Sequence, residues 1–152
     1  MRPADTIRCC DKRLLRSGDE LGHTIKIAAF GAIAFMVLDG VWLGLLMKNF
    51  YRDQLAPIVR LADGGIAPNW PAALVVYALL GTGIALFVMP RAASVSLAAA
   101  YGALFGLVVY GVYDFTNYST LRQWPFVLAL ADMAWGAAAS AACAVAVRIV
   151  GR

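Results

Sequence analysis

Asp39 and Asp132 lie inside stretches otherwise free of charge, and Asp114 closes a third such stretch. A carboxylate placed in hydrocarbon costs about 2.5–3.5 kcal/mol on insertion scales, so each must face water, a partner or the interior of a bundle. Carboxyl groups gathered in such a place can hold a cation, relay a proton or act as general acid and base. Two of the acids repeat a pattern. Asp39 is followed three residues later by Trp42, and Asp132 by Trp135. Residues three apart share a helix face, so each acid has an indole N–H on its own side. Around the third acid, Tyr110, Tyr113, Asp114 and Asn117 form one helical stripe. Aromatic rings beside carboxylates suit a bound cation. The candidate binding set is therefore Asp39, Trp42, Tyr110, Tyr113, Asp114, Asn117, Asp132 and Trp135. Asp114-x-x-Asn117 offers two hard oxygen donors, too few to define a metal site, so the metal question stays open.

The elements that position these residues are apolar helices. Of 152 residues, 62% are hydrophobic and only 14% charged, more apolar surface than a soluble domain of this length can hide. Four stretches, residues 27–47, 70–89, 92–113 and 125–147, are each about 30 Å long at roughly 1.5 Å per residue, the thickness of a bilayer core. Lipid offers the backbone no hydrogen-bond partners, and too few residues exist for a closed barrel, so the spans are helices. The predicted fold is all-α: an integral membrane four-helix bundle with antiparallel neighbours. Residues 23–152 form this domain, and residues 1–22 are expected to be a disordered basic tail or the product of an early translation start.

Depth supports a common level for the acids. Asp39 falls about 12 Å inside the end of the first span and Asp132 about 10 Å inside the start of the fourth. Asp114 lies at the end of the third, on the same side. Gly102 and Gly106, and Gly40 and Gly44, have the small-xxx-small spacing that lets helices approach closely, which predicts that the polar stripes face inward.

With both termini cytoplasmic, Arg2, Arg8, Lys12, Arg13, Arg16, Lys26, Arg91, Arg148 and Arg152 lie inside, against Lys48, Arg52, Arg60 and Arg122 outside. This bias predicts a multi-pass inner-membrane protein with the acids in the outer half. The net charge of +4 is a topology signal; no basic stripe interleaves with aromatics, so no nucleic acid is expected. In the first outer loop, Tyr51, Leu55, Ile58 and Val59 share a face flanked by Arg52, Asp53 and Arg60. A short interfacial helix ended by Gly64-Gly65 is predicted there. Asn69-Trp70-Pro71 and Gln123-Trp124-Pro125 open the second and fourth spans alike, a combination that anchors and starts a membrane helix. Cys143, inside the fourth span, is read as packing.

Several runs in order carry a resemblance: Leu38-Asp39-Gly40-Val41-Trp42-Leu43-Gly44, Asn49-Phe50-Tyr51-Arg52, Gly102-Ala103-Leu104-Phe105-Gly106, Tyr113-Asp114-Phe115-Thr116-Asn117 and Asp132-Met133-Ala134-Trp135-Gly136. Over about residues 27–147 the chain resembles the bacterial membrane-protein family catalogued as domain of unknown function 2177. The resemblance implies a multi-helix bacterial membrane protein and carries no activity, cofactor or site residue. The basic tail is not part of its pattern.

Three functions fit. The first is a carboxylate and aromatic pocket, open to the outer side, that binds or transports a cation, a proton or a small amine. Four spans are few for a transporter, which implies a homo-oligomer. The second is an accessory or assembly subunit of a larger membrane complex, docking through Ala98 to Ala100 and Ala137 to Ala142. The third is an enzyme acting on a lipid-soluble substrate. Against the third, the only histidine, His23, precedes the first span, and no Ser–His or Cys–His arrangement or phosphate-binding loop exists. No catalytic residue and no cofactor are assigned; the lipid bilayer is the one partner the composition requires.

Overall fold

The computed structural model describes residues 3–62 and 65–151. Helix α1 runs Pro3–Val41 and continues through a π turn, Trp42–Leu46; α2 is Lys48–Leu55. A two-residue antiparallel ladder, β1 Leu61–Ala62 with β2 Gly65–Ile66, leads into α3, Trp70–Gly83, which is extended by a π turn, Ile84–Val88, and a 3₁₀ turn, Met89–Arg91. Helices α4, Val95–Thr120, and α5, Phe126–Val150, complete the chain. Four segments are long and apolar enough to cross a membrane: Gly18–Leu46, Trp70–Arg91, Val95–Thr120 and Phe126–Val150. Their outward faces stay uncovered. Leu45 is 77% exposed, Leu79 67% and Val112 65%, a surface suited to a lipid environment. The protein is an all-α membrane bundle, as its composition requires.

Two boundaries differ from expectation, each for a local reason. Helix α2 stops at Leu55 because Pro57 follows it, well before the predicted Gly64-Gly65 terminus, of which Gly64 lies outside the described residues. Helix α4 starts three residues late, where the Ser94 side chain accepts from the backbone N–H of Leu97 at 3.2 Å, and runs on to Thr120. Asp114 therefore sits well inside a helix and not at its end.

Helices pack as two pairs, α1 with α3 and α4 with α5, and α1 also meets α5. Glycine sets both pairings. A Cβ on Gly81 would strike the α1 backbone at Ala28 and Ala32, and one on Gly106 would strike Gly136 and Ser140 of α5. Ala98, Ala139 and Ser140 of the small-residue faces proposed for a partner are buried within the molecule, while Ala100, Ala138 and Ala142 stay exposed. Gly40 and Gly44 behave otherwise. Nothing lies within 4 Å of a Cβ on either, and both line an open cleft, so their spacing does not mark a helix contact.

The apolar core, built from Phe35, Leu80, Ile84, Val88, Cys143 and Val147, fills the half of the bundle nearer the chain termini. Cys143 packs there, its thiol donating weakly to the Gly31 carbonyl at 3.5 Å. Arg148 caps that end, donating to the carbonyls of Ala92 at 2.8 Å and Ala93 at 3.1 Å in the α3–α4 turn. The opposite half, toward α2, holds the polar residues.

Candidate functional site: a crossed carboxylate and indole network

Asp39 lies seven residues before the end of its span and Asp132 six residues after the start of its own, so both stand roughly 10 Å from the α2 end of the bundle. Asp114 is six residues from the end of α4. All three turn inward: Asp39 is 7% exposed and Asp114 0%, and Asp132 is half-buried.

The donors cross between helices. Trp135 of α5 gives its indole N–H to Asp39 Oδ1 of α1 at 2.8 Å. Trp42, at the start of the α1 π turn, donates to the Tyr51 hydroxyl at 3.1 Å, and Tyr51 in turn donates to Asp132 Oδ1. The two indoles stack face to face, centroids 4.3 Å apart and planes within 3°. Each Asp-x-x-Trp unit thus serves the acid of the opposite helix, directly in one case and through a phenol in the other. A π turn widens the helix by one residue per turn, and here it begins at the tryptophan that must reach sideways: the Met47 N–H reaches back five residues to the Trp42 carbonyl at 2.8 Å.

Asp114 is served separately. The Trp124 indole donates to its Oδ1 at 3.3 Å, and the Tyr113 ring meets Trp124 edge to face at 5.7 Å. The Asp132 carboxyl is close enough to interact with it. Even so, Asp114 Oδ2 is buried with no well-formed hydrogen bond. Asn117 is half-buried one turn on, beside the Tyr113 hydroxyl. Tyr110 packs against Gly136 of α5, between the two groups of acids.

The contacts run from Asp39 through the stacked Trp135 and Trp42 to Tyr51 and Asp132, with Asp114 beside Asp132. Tyr51, Trp124 and Leu128 form a buried cluster with Met47, Phe50 and Leu55 packed on it, and this cluster closes the α2 end over the pair. Helix α2 is therefore a cap that brings Tyr51 onto Asp132. Burial pushes the Tyr51 hydroxyl above the ordinary phenol range, and its hydrogen bond to Asp132 adds to the shift, so it stays a neutral donor. Asp39 instead lines two clefts, of about 400 Å³ and 540 Å³, that share Tyr77, Leu43 and Ala73. Tyr77 stands beside the Asp39 carboxyl.

Three of these residues were not in the candidate set. Tyr51 was legible only as part of an amphipathic face, Tyr77 as one aromatic in an apolar span, and Trp124 as an interfacial anchor. Trp70, in the matching Asn-Trp-Pro position, does remain exposed, at 62%, while Trp124 is 9% exposed and bonded to Asp114. Among the described residues none of the three acids forms an ion pair with Lys, Arg or His, and no three of His, Cys, Asp and Glu gather closely enough to hold a metal ion. The donors orient the carboxyls without neutralising them.

No curated protein and no solved structure matches the chain. The family comparison does: residues 24–149, which hold every residue of this network, match the family described as "Predicted membrane protein (DUF2177)", and the chain belongs to that family.

Proposed function

We propose that this membrane protein binds a small cation, with a protonated amine as the best-fitting class, and passes it or its proton through the carboxylate network. The observation that carries the reading is the set of three inward-facing carboxyls with indole and phenol donors and no basic partner among the described residues. Like-charged acids in a low-dielectric site are relieved either by protons or by a cation held between them. An ammonium group supplies both positive charge and up to three N–H donors. Asp114, beside the Asp132 carboxyl and with a buried Oδ2 that has no well-formed hydrogen bond, is the acceptor such a donor would serve. Charge bias in the loops supports a bacterial inner-membrane setting with cytoplasmic termini, which puts the network in the outer half. Assembly of two or more copies would enlarge a translocation path beyond what four spans provide.

The test is titration of the purified protein in lipid nanodiscs with methylammonium, followed by tryptophan emission, since Trp42, Trp124 and Trp135 all belong to the network. A saturable change is expected, with half-saturation moved at least tenfold by Asp114→Asn and by Asp132→Asn. Saturable binding that ignores both substitutions, or none at all, overturns the reading.

A further inference from the structure

The bundle is not closed on all sides. Helices α3 and α4 follow one another in the chain, yet their firm contact is confined to the π and 3₁₀ turns at the terminal end, where Phe105 crosses over Gly83. Toward the α2 end the two helices part. The 400 Å³ cleft occupies this gap, with Val76 and Leu80 of α3 on one wall, Val109 and Tyr113 of α4 on the other, and Asp39 with Tyr77 and Tyr110 at its polar edge. Val76 is 51% exposed and Val109 36%, so the gap opens sideways, at a depth where the surroundings are hydrocarbon. Its size falls within the roughly 300–1,000 Å³ of small-molecule sites, which characteristically combine apolar walls with few polar groups.

Two features say what fills it. The apolar walls and the lateral mouth suit a hydrocarbon chain arriving from the membrane, while Asp39 at 7% exposure has no basic partner among the described residues. Within the four spans the basic residues are Lys26, Arg91 and Arg148, all near the terminal end, whereas Asp39 lies toward the α2 end. Lys48 lines the neighbouring 540 Å³ cleft with Asp39 but, among the described residues, forms no ion pair with it. A positive group carried by a ligand in the 400 Å³ cleft would complete the pairing. We infer that the α3–α4 cleft is a lateral entry site for a cationic amphiphile, its ammonium head on Asp39 and its chain between Val76, Leu80 and Val109. This rests on the reading that the carboxylates accept a positive group, and it adds the route and the class of molecule: a long-chain amine, in place of a hydrophilic one arriving from water.

The experiment uses the full chain in nanodiscs and a dodecylammonium probe with a diazirine at the tail end, photolysed and mapped by mass spectrometry. Labelling is expected at Val76, Leu80 and Val109, at least tenfold above the matching dodecanol probe. It should fall at least tenfold in Asp39→Asn and in Val109→Trp, which fills the cleft and leaves Asp39 in place. Monodispersity and unchanged helicity certify that each variant is folded. Labelling spread evenly over lipid-facing residues such as Leu79 and Val112, equal for both probes and indifferent to Asp39, overturns the inference. If methylammonium still titrates through Asp114 and Asp132 in that case, only the lateral route falls; if it does not, the proposed function falls with it.

Discussion

Asp39 and Asp132 each precede a tryptophan by three residues, and the folded chain exchanges these tryptophans between the helices. The exchange makes the two indoles unequal. Trp135 donates straight to a buried carboxyl, while Trp42 donates to a phenol whose own proton already goes to Asp132. Removing a donor from a buried acceptor costs about 1–3 kcal/mol, most where the acceptor carries charge. Phenylalanine at either position preserves an aromatic ring for the stack and deletes only the N–H. Trp135→Phe is therefore expected to lower the thermal midpoint in mild detergent several degrees more than Trp42→Phe, and its effect should shrink in an Asp39→Asn background, where the acceptor has changed. Equal losses, or no coupling to Asp39, would mean that the stack and not the hydrogen bond holds these side chains.

At the scale of elements, the spans were legible because hydropathy and length are local properties, and the inward turn of the acids was legible from the energy of a carboxylate in lipid. Contacts between elements were legible only in part. Gly102 and Gly106 do mark a close helix contact, but the equally spaced Gly40 and Gly44 face an open cleft, since spacing does not say which side of a helix finds a neighbour. Helix α2 showed an apolar face to which the membrane surface and the bundle end were equally suitable; the hinge at Met47 decides for the bundle and brings Tyr51 onto Asp132. Asn-Trp-Pro and Gln-Trp-Pro read alike, and only the position of Asp114 beneath the second draws its tryptophan inward. The glycine contrast yields a prediction. Gly106→Ala forces α4 and α5 apart against the Gly136 carbonyl and should destabilise by roughly 1–3 kcal/mol, the cost of overpacking. Gly40→Ala meets nothing and should be neutral to about 1 kcal/mol stabilising, through helix propensity. Thermal unfolding of the two variants side by side gives the comparison, and matching effects would refute the packing described.

At the scale of the whole molecule, the bundle separates its tasks along the membrane normal. The half near the termini is a dry core locked by Arg148 on the α3–α4 turn; the other half carries the acids, the α2 cap and the lateral gap. Under the proposed function this polarity needs an orientation, because a cation-binding half facing outward would capture and one facing inward would release. Four spans put both termini on one side, and the orientation proposed for them, from the excess of Lys and Arg at that end, is a cytoplasmic one. Single cysteines decide the point directly. In a background with Cys9 and Cys10 changed to Ser, and with Cys143 buried and unreactive, Asp53→Cys on the exposed face of α2 should react with a membrane-impermeant maleimide on intact cells, while Arg91→Cys in the α3–α4 turn should react only after permeabilisation. The reverse pattern would turn the network toward the cytoplasm and make it a site of release, even though every contact within the bundle stays as described.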